Sequence, residues 1–110
     1  PKDYFKYADK ILKKNGIIFI SATPNVNSPC AQVFRDKWNQ FDPIQHINLF
    51  SSHTLSKLAK KFNLELIGEH YPYINTPYEN FKVDIKNFLN KEGDSPPFWG
   101  SMMTLIFKKI

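Results

Sequence analysis

The chain has 110 residues, which leaves room for one small domain. Its composition is 42% hydrophobic and 15% aromatic, which is enough for a packed core and excludes a disordered tail. The longest apolar run covers residues 17–20, far short of the roughly 20 residues that span a bilayer, so we expect no membrane insertion.

Basic residues outnumber acidic ones by 15 to 10, and the resulting net charge of +5 could indicate a nucleic-acid partner. All of the basic residues except Arg35 are lysines, however, whereas base recognition and phosphate clamping favour the guanidinium group. Lysines on the outer faces of helices ordinarily keep a surface solvated. These observations argue against a nucleic-acid partner.

The single cysteine and the first residue bear on where the protein resides and how long it is. Cys30 can form neither an internal disulfide nor a cysteine-based zinc site, so we expect a reducing, cytoplasmic compartment. Residue 1 is Pro1 rather than methionine, and both methionines lie near the other end. We therefore expect the chain to be a piece of a longer protein.

The first residues have the pattern of a helix followed by a buried strand. Apolar side chains recur at helical spacing over residues 4–12, and Gly16 is placed to end the helix as its C′ residue. Residues 17–20 are apolar without alternation, which predicts a strand buried on both faces. Helix, glycine and buried strand in this order indicate an α/β fold.

The strand leads into a loop at Thr23, Pro24 and Asn25. Because ligands bind at the carboxyl ends of strands in open α/β sheets, these three residues are candidates for substrate binding. Ser28 and Pro29 predict the N-cap and first residue of a short helix, which could lie over the strand end as a lid.

The second half of the sequence predicts two helices and two strands. Ser52 is expected to cap one helix, and Thr76, Pro77 and Glu79 to open the other with a capping box. Strands are expected at residues 64–73 and at about residues 101–107. The residues themselves leave open whether the last strand is parallel or antiparallel.

Three segments together resemble class I S-adenosylmethionine-dependent methyltransferases, in the carboxyl-terminal half of the catalytic domain. Residues 11–20 are similar to the turn before the fifth strand of that family and to the strand itself. Residues 23–25 and 41–51 are similar to a threonine-proline-asparagine segment and to a histidine, leucine, phenylalanine-serine segment of one subgroup. The segments occur in the family's order, and the resemblance covers most of the chain.

The resemblance implies a Rossmann-like sheet with strand order 3-2-1-4-5-7-6, in which the last strand is antiparallel. Residues 17–22, 64–73 and 101–108 would be strands five, six and seven. Residues 1–110 would then be a single partial domain, the carboxyl-terminal half of a methyltransferase domain that lacks the amino-terminal, cofactor-binding half.

The same resemblance implies that the parent protein transfers a methyl group from S-adenosylmethionine to an unidentified acceptor. The glycine-rich turn that would bind such a cofactor is absent, because Gly16, Gly68, Gly93 and Gly100 are widely separated. We therefore expect no cofactor-binding residue in this chain, and we expect it to be inactive when isolated.

His46 is the catalytic candidate, because a histidine suits the removal of a proton from an acceptor hydroxyl or amine. It could instead cap a turn or pair structurally with Asp42. Trp38, Phe50 and Tyr73 are candidates for lining an acceptor pocket, although aromatic residues at such spacing also form cores. The three histidines lack the spacing of metal ligands, so no metal site is expected.

Two other functions stay open from the sequence. One is a lysine-rich α/β module that binds RNA or a partner protein without chemistry. The other is a methyltransferase-like half that works with a separately encoded cofactor-binding chain. Because strand four would be missing, residues 17–20 would leave a sheet edge open, and we expect the isolated chain to self-associate through it.

Overall fold

The computed structural model describes residues 2–40 and 50–110, which form four helices around a three-stranded sheet. The helices are α1 (Lys2–Ile11), α2 (Pro29–Phe34), α3 (Ser52–Lys60) and α4 (Phe81–Leu89), and a 3-10 turn at Arg35–Lys37 follows α2. The strands are β1 (Ile17–Pro24), β2 (Leu64–His70) and β3 (Met102–Lys109).

The sheet has the strand order β1-β3-β2, with β3 antiparallel to both neighbours. Ile20 pairs with Leu105 on one side of β3, and Leu66 pairs with Phe107 on the other. The first and second strands are therefore parallel to each other, although the last strand lies between them. This order confirms the α/β class and the antiparallel last strand that the resemblance implied. The second strand ends at His70 rather than at the expected Tyr73.

One face of the sheet is covered by α1 and α3. Met103, Leu105 and Phe107 alternate along β3 and are completely buried, as period-two alternation requires of residues on one face. The ring of Phe5 in α1 meets Phe107 edge-on with centroids 5.4 Å apart. Leu55 of α3 joins the same cluster, so the two helices share one hydrophobic core with the sheet.

The other face of the sheet corrects the expectation that residues 17–20 are buried on both sides. Ile17 is 51% exposed and Phe19 is 61% exposed, and Ile67 of β2 is 50% exposed. The reason is that α1 and α3 both pack on the opposite face of the sheet, where they contact Leu105. A run of four apolar residues allows both faces of a strand to be buried. It does not show that a helix packs on each face.

The turn after α1 differs from the one that the sequence predicted. The first helix ends at Ile11, and Asn15, with φ of 70°, takes the left-handed conformation in the following turn. Gly16 is required for a different reason, which is that its backbone lies close to Lys13. A Cβ at this position would lie 2.8 Å from the Lys13 carbonyl oxygen. The C′ role assigned to Gly16 was therefore wrong.

Two N-caps follow the expected chemistry. The Ser28 side chain accepts a hydrogen bond from the Ala31 backbone N–H at 3.2 Å, and Pro29 opens α2 as predicted. The third helix is capped by Ser51 instead of Ser52, in a reciprocal capping box with Thr54.

The fourth helix begins later than the sequence predicts. Thr76 and Glu79 do not open a helix, because both side chains stabilise a turn before it. The Thr76 hydroxyl donates to the Tyr73 carbonyl at 2.6 Å, and Glu79 accepts from the Asn75 backbone N–H at 2.7 Å. The helix then starts at Phe81.

Candidate functional site

The end of β1 is tied to the residues before β3 by Asn25. Its backbone N–H donates to the Ser101 carbonyl at 2.9 Å, and its side-chain Nδ2 donates to the Gly100 carbonyl at 3.1 Å. Its Oδ1 accepts from the backbone N–H of Asn27 at 3.1 Å. Both polar atoms of the buried side chain are thus engaged within the protein, and Asn25 holds the loop rather than facing a ligand.

Trp38 is also structural. It is buried together with Cys30 and Phe34 in a second hydrophobic cluster, beside the sheet's main core. Its indole N–H donates to the Ser101 hydroxyl at 3.3 Å, which satisfies the one polar atom that burial would otherwise leave unpaired. Burial raises the pKa of the Cys30 thiol, so this cysteine is a packing residue rather than a nucleophile.

A cavity lies next to this cluster, at the carboxyl ends of β1 and β2. It encloses about 460 Å³. Met102, which pairs with Pro24 at the end of β1, forms part of its wall. The remaining lining residues are prolines, aromatic residues and uncharged polar residues: Pro72, Pro77, Pro97, Tyr73, Tyr78, Phe98, Asn39, Gln40 and Thr76. We refer to it as the proline-aromatic cavity.

The proline-aromatic cavity suits a flat or branched apolar group. Its volume lies in the range of small-molecule sites, and its wall is mostly carbon with a few polar groups that could orient a ligand. None of its lining residues is charged. Phe98 is held in place by ring contacts with Tyr73 at 5.6 Å and Phe88 at 5.4 Å, so this part of the wall is packed from behind.

Tyr73 lies between this cavity and a second one. Its hydroxyl donates to the Asp84 carboxylate in α4 and accepts a hydrogen bond from the Asn80 backbone N–H at 3.3 Å. Burial, and then the bond to Asp84, raise the pKa of the Tyr73 phenol. The phenol therefore stays protonated and anchors α4, while its ring forms part of both cavity walls.

The second cavity encloses about 290 Å³ and includes the ring of Trp99, so we call it the Trp99 cavity. Trp99 and Tyr71 have ring centroids 5.5 Å apart and planes inclined at 52°. The Tyr71 hydroxyl donates to the Glu69 carboxylate at 3.0 Å. Burial and this hydrogen bond raise the pKa of Tyr71. His70 and Ile74 complete the lining with Glu69 and Tyr73.

A comparison with protein families matches residues 1–69 to the family described as a methyltransferase domain. The chain belongs to this family. The matched residues run from α1 almost to the end of β2, and thus include the strand and loop that end beside the proline-aromatic cavity. No curated protein and no solved structure matches the chain.

The four glycines of the chain do not fit the binding of S-adenosylmethionine. Gly16 closes the turn before β1, Gly68 lies opposite Ile106 in the sheet, and Gly93 follows α4. Gly100 has φ of 87° and packs against Pro29. All four are used by turns or close packing, and none lies between a strand and a long helix, where a glycine-rich cofactor-binding turn would be.

The sequence candidates divide into three groups. Tyr73 lines both cavities. The other candidates within the described residues, which are Thr23, Pro24, Asn25, Trp38 and Phe50, line neither. Thr23 and Pro24 pair with β3, and Phe50 forms a parallel bridge with Asn25. His46 and Asp42 lie outside the described residues, so the structure leaves the catalytic candidate as a prediction.

Several cavity residues were missed by sequence reasoning. Asn39 and Gln40 follow the 3-10 turn, and Phe98 and Met102 lie on either side of Gly100. Their only sequence signal was proximity to Trp38 and to the last strand.

Within residues 2–40 and 50–110, no three histidine, cysteine or acidic side chains are grouped to hold a metal. None of the helices in that part of the chain could cross a membrane.

Proposed function

We propose that the chain is the acceptor-binding half of an S-adenosylmethionine-dependent methyltransferase. The observation that carries this proposal is the proline-aromatic cavity at the carboxyl ends of β1 and β2, within a chain of the methyltransferase domain family. In open α/β sheets ligands bind at that end. The acceptor's apolar part would occupy this cavity, and a single buried cysteine is compatible with a cytoplasmic enzyme.

The cofactor would be bound by residues that are not in this chain. The strand order β1-β3-β2 matches the last three strands of the family sheet, and β1 pairs with another strand along only one edge within the described residues. The preceding strand of the family sheet would pair along the other edge. We infer that the isolated chain neither binds S-adenosylmethionine nor turns over.

The chain's own residues would contribute positioning, water exclusion and proton removal. Bringing the acceptor into one aligned orientation in a dry cavity is the main catalytic contribution in such transfers. A hydroxyl or amine acceptor must also lose a proton, and His46 is our proposed base. Support comes from its two described flanks, since Gln40 lines the proline-aromatic cavity and Phe50 bridges to Asn25 at the end of β1.

The first test compares the chain with the product of the reading frame that contains it. The sequence upstream of residue 1 should encode a glycine-rich turn after a strand, with an acidic residue about 20 positions on. In calorimetry, the longer product should bind S-adenosylmethionine saturably, and the 110-residue chain should give no saturable heat. An unrelated upstream sequence, together with no binding by the longer product, would overturn the methyltransferase proposal.

The second test addresses His46 in the longer product. His46→Ala should lower label transfer from S-adenosylmethionine to an acceptor extract by about 100-fold, with unchanged cofactor affinity, since a positioned base contributes roughly that factor. His53→Ala is the matched control, because His53 is exposed on α3. Equal transfer rates in the two variants would remove His46 from the mechanism.

A further inference from the structure

The Trp99 cavity has two features that together suit a positively charged organic ligand. The first is an aromatic corner, in which the Trp99 and Tyr71 rings are 5.5 Å apart and inclined at 52°. Aromatic ring faces attract cations, and tryptophan does so most strongly. Trp99 remains 47% exposed, so part of its ring is accessible from the cavity. The corner is therefore available to a ligand rather than filled by the protein.

The second feature is the carboxylate of Glu69. Tyr71 donates its hydroxyl to Glu69 Oε2 at 3.0 Å, which holds the negative charge beside the aromatic corner. Within residues 2–40 and 50–110, the one ion pair joins Asp9 and Lys109, so no described lysine or arginine neutralises Glu69. An organic cation could then contact both ring faces and a carboxylate.

The distribution of charge around the two cavities supports the same conclusion. The chain carries 15 lysine and arginine residues, yet none of them lines either cavity. His70 is the other ionisable side chain in the Trp99 cavity besides Glu69 and the tyrosines. When neutral, its imidazole can accept a hydrogen bond from an ammonium N–H. An anion, in contrast, would be repelled by Glu69 and would find no lysine or arginine in the lining.

Tyr73 lines both cavities, so the two cavities are adjacent. We infer that the Trp99 cavity binds an organic ammonium ion, as the charged end of an acceptor whose apolar body lies in the proline-aromatic cavity. This inference rests on the proposed function, because it names the substrate class of the same acceptor site. In this inference the protein binds the acceptor through its ammonium group, and the atom that is methylated lies on another part of the acceptor.

The test uses three small probes with the 110-residue chain. Benzyltrimethylammonium carries an aromatic body and a cationic head, choline has the head alone, and 3,3-dimethylbutan-1-ol is the uncharged isostere of choline. Binding is followed through the indole N–H signals of the two tryptophans in NMR. Trp99 should shift saturably, whereas Trp38, which is buried and bonded to Ser101, should not.

We expect choline to bind at least three-fold more tightly than its uncharged isostere, and benzyltrimethylammonium to bind more tightly than choline. Glu69→Gln should weaken benzyltrimethylammonium binding roughly three-fold to ten-fold by removing the charge. Glu65→Gln is the matched control, because it removes the same charge from an exposed position on the same strand. Trp99→Leu, which removes the indole signal and is therefore followed by calorimetry, should reduce the preference for the cation.

Equal affinity for choline and the uncharged isostere, or equal weakening by the Glu69 and Glu65 variants, would overturn the inference. Its failure can be told apart from that of the proposed function. Probe binding to the chain needs no cofactor, so binding without methyl transfer by the longer product would refute the enzyme and leave the ammonium site standing. Methyl transfer to an uncharged acceptor, without probe binding, would refute the ammonium site and leave the proposed enzyme standing.

Discussion

Both faces of the sheet carry apolar side chains, but they differ in what covers them. On one face, Leu105 and Phe107 are completely buried beneath α1 and α3. On the other, Ile17 and Phe19 stay more than half exposed, although they belong to the same uninterrupted apolar run as Ile18 and Ile20. The comparison teaches that an apolar run makes burial of a strand face possible. Whether the face is buried depends on whether another element of the structure packs against it.

We call the exposed face that carries Ile17 and Phe19 the bare face. Within residues 2–40 and 50–110, β1 also pairs with another strand along only one edge. Exposed apolar patches on a sheet commonly mark an interaction site, and an unpaired edge is a template for another strand. In the proposed full-length enzyme, the preceding strand would occupy that edge. In the isolated chain, a second copy is the partner we expect.

The largest expected effect comes from truncating neighbouring residues that point to opposite faces of β3. Phe107→Ala should destabilise the chain by about 3–5 kcal/mol, because it opens a cavity in the covered core. Ile106→Ala on the bare face should cost about 1 kcal/mol, because less area is lost from packing. Urea unfolding at low protein concentration measures both. Equal losses would mean that the bare face is covered in solution.

A smaller effect on folding, but a clear effect on assembly, is expected from Phe19→Lys. We expect the wild-type chain to self-associate through β1 or by exchange of an element between copies, and a lysine on this edge strand should weaken that association at least ten-fold. Sedimentation equilibrium over a range of concentrations is the measurement.

Tyr7→Lys is the control for this experiment, because Tyr7 is 63% exposed on α1 and away from the bare face. It should leave the association constant unchanged. A wild-type mass that stays monomeric at every concentration would refute the prediction of self-association.

The smallest effect concerns the margin of the covered face, where Asp9 of α1 pairs with Lys109 at the end of β3. The hydrogen bond from Lys109 lowers the pKa of Asp9 below its ordinary value of 3.8. A carboxyl with a lowered folded-state pKa contributes stability above its unfolded pKa, and that stability is lost as the pH falls through the folded value. The contribution is therefore complete at neutral pH and disappears in acid.

Asp9→Asn should accordingly be slightly less stable than the wild type at pH 7, with the difference vanishing at pH values below the folded pKa of Asp9. Asp94→Asn, in the exposed loop before β3, should track the wild type throughout. Thermal unfolding of the three proteins across this pH range measures the effect. A difference that stayed constant with pH would show that the ion pair is not its cause.

The local elements were largely predictable because their signals lie within a few residues of one another. The N-cap at Ser28 and the apolar stripe of α3 depend only on nearby side chains. The start of α4 was not predictable in this way. Its N-terminal region is organised by Tyr73, whose hydroxyl bonds to Asp84 within the helix and receives the Asn80 backbone N–H.

The candidate site was less predictable than the fold. Asn25 and Trp38 have residue types that ligands often contact, but their polar atoms are bonded to Gly100 and Ser101, far along the chain. The cavity walls draw on Gln40, Tyr73 and Phe98, which come from three separate loops. No local pattern indicates which loops meet.

The sequence by itself determined the order of the helices and strands, the α/β class and the family to which the chain belongs, although not every element boundary. These depend on short-range periodicity, capping chemistry and a recognisable order of segments. The family resemblance also implied that β3 lies between β1 and β2, and the structure confirms it. Only the tertiary structure decided which face of the sheet is covered, and that a carboxylate and two aromatic rings line one cavity. Those outcomes depend on contacts between residues distant in sequence, where packing and hydrogen bonding choose among arrangements that local preference leaves equal.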